Sequence, residues 1–151
     1  LQPSATIFNV AMMLTGLMVI AASWFVHRAL GRRAVTIPIL LLGVAALGVG
    51  VFPGNTGTPH AIFAMLTFVS GGVAALCAAL VTGAAFRYVS IALGAISLLT
   101  LLSYLVLGEA SPMATMGTGG LERWVVYPIV IWLIAVGSTP VTPFRVAVRK
   151  S

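Results

Sequence analysis

Acidic residues are almost missing from this chain. Of its 151 residues only Glu109 and Glu122 are acids, and no aspartate occurs. Glu109 lies between the long apolar runs and Glu122 at the very start of one, so neither is deep inside a run. Proton-coupled transporters ordinarily place ionisable groups at membrane depth, so this pattern argues against transport, as do the small size and the lack of an inverted repeat. One cysteine, Cys77, excludes an internal disulfide and any Cys/His zinc spacing, and reads as a small core residue. Charged residues are 7% of the chain, against roughly a quarter in an ordinary soluble domain. There is no phosphate-cradling Gly-x-x-x-x-Gly-Lys, no Gly-x-Ser-x-Gly elbow, no low-complexity tract and no fixed-period repeat.

Apolar sequence fills the space instead. Hydrophobic residues make up 60% of the chain, more than one soluble core of this length can hide. They fall into five runs, 5–26, 34–52, 61–85, 89–107 and 121–137. Each has roughly 17–25 residues, enough to cross a hydrocarbon core of about 30 Å as a helix. The expectation is an all-α, polytopic transmembrane helical bundle forming a single domain over residues 1–151.

The positive charges alternate. Arg28, Arg32 and Arg33 follow the first run, Arg87 the third, and Arg145, Arg149 and Lys150 end the chain, whereas the intervening loops carry Arg123 alone. The asymmetry of Lys and Arg assigns the Arg28–Arg33 loop, Arg87 and the C-terminus to the cytoplasm. The N-terminus and loops 53–59 and 108–120 then lie outside the cell membrane. Five spans with an outside N-terminus, in a chain that starts at Leu1, lead to the expectation of a sixth helix upstream. Because the basic residues form no groove or stripe, nucleic acid is not an expected partner. His27 beside its arginines reads as a cytoplasmic cluster attractive to anionic lipid.

Small residues indicate how the helices pack. Gly43, Gly48 and Gly50 in the second run and Gly71 and Gly72 in the third allow the close backbone approach that carries helix association in lipid. Pro38 and Pro128 fit a first turn or a local kink. Ser70, Ser97, Thr100 and Ser103 can bond carbonyls of the preceding turn and require no channel. Trp24, Tyr88, Trp124 and Tyr127 near the run ends suit an interfacial aromatic belt, while Tyr104 and Trp132 are deeper and suit packing between helices.

The candidate functional residues gather on the outer side. They are Asn9 in the first run, Asn55 and His60 around the second loop, and Glu122 with Arg123 opening the fifth run. Each also has a purely structural explanation. Pro59 sets a helix start with His60 in its first turn, Glu122 complements a helix dipole, and Arg123 can anchor to lipid phosphate. As a cluster, a carboxylate beside His60 would fix its tautomer, and Arg123 would hold an anionic head group. The two histidines sit at opposite ends of spans, about 30 Å apart, which rejects bis-His haem. A soft metal site of His60 with Met113 or Met116 is a weaker redox alternative. No cofactor or metal is expected.

Ile7-Phe8-Asn9, Val51-Phe52-Pro53-Gly54-Asn55 with Pro59-His60, and Gly120-Leu121-Glu122-Arg123-Trp124-Val125-Val126-Tyr127-Pro128 with Trp132 and Gly137 occur in this order. Over almost the whole chain they resemble the bacterial and archaeal membrane family catalogued as domain of unknown function 998. The resemblance implies a six-helix fold with one helix ahead of the Phe-Asn motif, which this chain lacks. It also implies that Asn9, His60, Glu122 and Arg123 belong to one site. It supplies no activity. The expected function is that of a non-enzymatic accessory subunit, with the lipid bilayer and other membrane subunits or a homo-oligomer as partners. The alternative is a protein that binds or modifies a lipid head group.

Overall fold

The computed structural model describes residues 3–111 and 114–138. Among them are five helices, α1 (Pro3–Leu30), α2 (Arg33–Val51), α3 (Thr58–Ala78), α4 (Ala84–Leu107) and α5 (Gly117–Ser138), and no strand. All five segments are long and apolar enough to cross a membrane. The chain is therefore an all-α, multi-pass membrane protein. Its contacts group into two compact units, Leu1–Gly71 and Gly72–Ser151.

In the first unit α1 and α2 form an antiparallel hairpin. Gly31 turns it at φ +63°, a backbone region that costs glycine little. Its N–H caps the His27 carbonyl at 2.8 Å. The two backbones then run very close. A Cβ on Gly16 would stand 2.5 Å from the Leu47 amide nitrogen, and one on Gly43 would stand 2.7 Å from that of Ile20. Near the far end of α2, a Cβ on Gly50 would stand 2.6 Å from the Asn9 carbonyl oxygen. Glycine is required here by a neighbour's main chain, which cannot rotate away. Lipid supplies no hydrophobic drive between helices, so this dispersion contact has to hold the pair. Gly48 faces the ring of Phe63 on α3, which also stacks on Phe52 with ring centroids 5.3 Å apart.

In the second unit α4 and α5 are antiparallel and share a buried seam. Ser90, Gly94, Ser97 and Leu101 are the buried residues of α4, and Leu121, Val125, Ile129 and Trp132 are buried on α5. The steps are four, three and four on α4 and four, four and three on α5, the pattern of a narrow helix–helix seam. Two hydrogen bonds cross it, from Trp132 Nε1 to Ser90 Oγ at 3.1 Å and from Ser97 Oγ to the Val125 carbonyl at 2.9 Å. On the other side of α4, Gly94 packs on Leu76 and the Gly72 carbonyl, while Gly72 faces Leu98.

The last turns of α3 tighten, with the amides of Ala79, Leu80 and Val81 each bonding the carbonyl three residues back. Arg87 reaches back to the chain end so formed, its Nε donating to the Ala79 carbonyl at 3.1 Å and an Nη to that of Thr82 at 3.5 Å. A cation on the orphan carbonyls of a helix C-terminus satisfies both hydrogen bonding and the helix dipole. Beside it the Thr82 hydroxyl is buried with no partner.

Pro128 lies eleven residues after the first residue of α5, so it belongs to the helix interior and not to a first turn. Having no N–H, it leaves the Trp124 carbonyl without its i+4 donor. Pro38 does the same to the Ala34 carbonyl in the second turn of α2.

Candidate functional site

The α2–α3 connection is built around His60. Phe52 closes α2, its amide bonding the Gly48 carbonyl at 2.8 Å, and Pro53 leads into a single 3-10 turn over Gly54–Thr56. Thr56 holds that turn from two sides, its amide and hydroxyl both donating to the Pro53 carbonyl at 2.8 and 2.7 Å. Gly57 at φ +70° then reverses the chain into α3. The next contact closes the loop, since Nδ1 of His60 lies 2.7 Å from the Phe52 carbonyl oxygen. A carbonyl only accepts, so Nδ1 carries the hydrogen, and Nε2 of the neutral ring keeps its lone pair. The sequence suggested a carboxylate as the group that fixes this tautomer; the main chain of Phe52 does it instead.

Asn55 sits in the middle of the same turn with its side chain exposed, and Asn9 lies on α1 where the hairpin brings its carbonyl to Gly50. The first unit thus gathers Asn9, Asn55 and His60 toward one end of α2. His27 is at the other end, where its Nδ1 makes a long 3.4 Å contact with the Thr36 hydroxyl. The histidines are separated by the length of α2 between Thr36 and Phe52, about 24 Å at 1.5 Å per residue.

Glu122 and Arg123 belong to the second unit. They lie in the second turn of α5, and both are exposed. Among the described residues neither makes an ion pair. Arg123 stands at one end of an open groove of about 630 Å³, lined on α4 by Leu93 and Ile96 and on α5 by residues from Gly120 through Trp124 and Tyr127 to Ile131. Met116 lines the same end as Gly120, and Met113 is outside the described residues. Among the described residues no three or more His, Cys, Asp or Glu side chains come together as a metal cluster.

Three contributors lay outside the sequence-derived set. Gly16 and Gly94 make close helix contacts of the kind expected of Gly43 and Gly72, but each stands alone in its run with no second glycine nearby to draw attention. Ser90 is chemically an ordinary membrane-helix serine, and only its pairing with Trp132 distinguishes it. A sequence signal did exist for it, because Ser90, Gly94 and Ser97 recur at steps of four and three.

The family model described as "Protein of unknown function (DUF998)" matches residues 1–139. No curated protein and no solved structure matches the chain.

Proposed function

The chain belongs to the DUF998 family, and we propose that it serves as a non-enzymatic accessory subunit that docks in the bilayer on other membrane subunits or on copies of itself. The supporting observation is the unused face of α1. Phe8, Ala11, Thr15, Met18, Ala22 and Phe25 are all exposed. At 100° per residue they occupy one side of the helix, separate from the stripe of Gly16, Val19 and Ser23 that is buried. Small residues between two aromatics let a second helix approach closely, and the Thr15 hydroxyl offers it a hydrogen bond. Gly16, Gly43 and Gly50 are already engaged within the hairpin, and this face of α1 stays open to an intermolecular contact. In this arrangement the N-terminus is outside and the C-terminus cytoplasmic, following the alternation of Arg and Lys.

Native mass spectrometry of the protein extracted gently from its source membrane tests the proposal. The expected result is a complex with other subunits or a homo-oligomer, lost in Ala11→Leu and Ala22→Leu and kept in His60→Ala. A bare monomer from wild type, or full assembly of both leucine variants, would overturn it.

A second reading has its own support. A lipid head group bound at the outer surface, for which the sequence offers His60, Glu122 and Arg123 as candidates, is supported by Arg123 in the lining of an apolar groove. His60 would contribute Nε2, the nitrogen not committed to Phe52.

A further inference from the structure

The α5 wall of the α4–α5 groove passes from an aliphatic residue through two aromatic rings to a cation, the order of the parts of a phospholipid. Along α5 the lining runs from Ile131 through Pro128, Tyr127 and Trp124 to Arg123 and Gly120, with Met116 beyond, and on α4 Leu93 and Ile96 line it beside Ile131 and the aromatic pair. From Arg123 to Ile131 the helix rises about 12 Å. The volume of about 630 Å³ is inside the roughly 300–1,000 Å³ range of small-molecule sites. Aromatic rings between a cationic end and an aliphatic end mark the interface level, where amphipathic rings lie among head groups. Pro128, also in the lining, deprives the Trp124 carbonyl of its i+4 donor, which adds a hydrogen-bond acceptor at the level of the glycerol backbone.

We infer that this groove is a specific site for one anionic phospholipid, with its phosphate on Arg123 and an acyl chain along Leu93, Ile96 and Ile131. Charge complementarity selects the occupant. Arg123 has no carboxylate partner among the described residues, and the opening of α5 adds its helix-dipole charge to the same end. Glu122 is the next residue around the helix and does not line the groove. The inference deepens the head-group reading but needs neither His60 nor Glu122, because α4 and α5 supply the whole site.

The test is lipid retention by the full chain in detergent, read by native mass spectrometry against added phosphatidylglycerol, phosphatidylcholine with the same acyl chains, and inorganic phosphate. Wild type is expected to keep one phosphatidylglycerol and to prefer it to phosphatidylcholine. Arg123→Gln should weaken retention about fivefold, the worth of one basic residue at an anionic membrane surface. Arg123→Lys should recover most of it, and Ile96→Phe should lose it by filling the groove. Far-UV circular dichroism and thermal unfolding confirm that each variant folds. If Arg123→Gln and Ile96→Phe, both folded, retain the lipid as wild type does, the groove site is overturned. If retention falls only in His60→Ala and Glu122→Gln, the groove is again overturned while the head-group reading stands. Equal retention of phosphatidylcholine, or displacement of the lipid by inorganic phosphate, also overturns it, and no retained lipid at all removes both.

Discussion

Trp132 and Ser90 meet across α4 and α5, the indole Nε1–H donating to the serine hydroxyl at 3.1 Å in a site where both residues are almost fully buried. Seven residues along each helix, Ser97 meets the Val125 carbonyl. The two bonds differ in what their loss leaves behind. Ser90→Ala strands a buried indole N–H, at a cost of about 1–3 kcal/mol. Ser97→Ala leaves a carbonyl that still has its helical donor, so the loss should be closer to the roughly 0.6 kcal/mol typical of an interhelical bond in a membrane protein. Unfolding in mixed micelles with increasing SDS should rank Ser90→Ala well below Ser97→Ala. The reverse order would mean that the indole finds another acceptor.

The hairpin of the first unit makes a prediction about sign. Gly16→Ala places a methyl 2.5 Å from a backbone nitrogen of α2, and overpacking of this kind costs about 1–3 kcal/mol. Gly119→Ala meets nothing within 4 Å and should gain about 0.5–1 kcal/mol, the entropic advantage of alanine over glycine in a helix. Thermal unfolding in detergent should therefore move in opposite directions for the same chemical change.

Thr82 is the test of an unsatisfied hydroxyl. Its Oγ1 is buried without a partner, and burying such a group costs about 1–3 kcal/mol. Thr82→Val keeps the shape and removes that cost, so the melting temperature should rise. A fall in melting temperature would show that the hydroxyl is satisfied in the membrane.

His60 should be found as the Nδ1–H tautomer when neutral, since the Phe52 carbonyl accepts from that nitrogen. Nitrogen-15 spectra of ring-labelled protein report this directly, and an Nε2–H tautomer would contradict the contact. His60→Ala should cost about 1 kcal/mol, the worth of one intramolecular hydrogen bond, without unfolding the hairpin.

The legibility of the fold follows from the physics of its surroundings. A helix is the only open segment that satisfies its own backbone in lipid, so length and apolarity alone identify five of them. Composition marks the ends less sharply. The run of low charge continues through Ala85, yet α3 stops at Ala78 and α4 starts at Ala84, because the break is made by a tightened turn, Gly83 at the N-cap of α4 and the Arg87 side chain, and no charged residue interrupts it. Similarly, α5 begins at Gly117 in residues of little hydropathy, which moves Pro128 from a helix opening to a helix interior.

The candidate site was legible only as residue types. Histidine at a helix start was readable in Pro59-His60, but its partner is a main-chain carbonyl, and every residue has one of those. Glycine content announced close packing, but which glycine meets which backbone depends on the phase of two helices about their axes. That phase placed Gly16 against Gly43, and a lone glycine gives no warning of it. By itself, then, the sequence determined the class, the five membrane-length helices found among the described residues, and the family, because each follows from hydropathy or motif order along one dimension. Tertiary structure alone decided that serine and tryptophan join α4 to α5, that His60 is tied to Phe52, and that Arg123 ends an apolar groove. Each depends on side chains far apart in the chain meeting at a few ångströms, a distance that helix rotation and register set and composition does not.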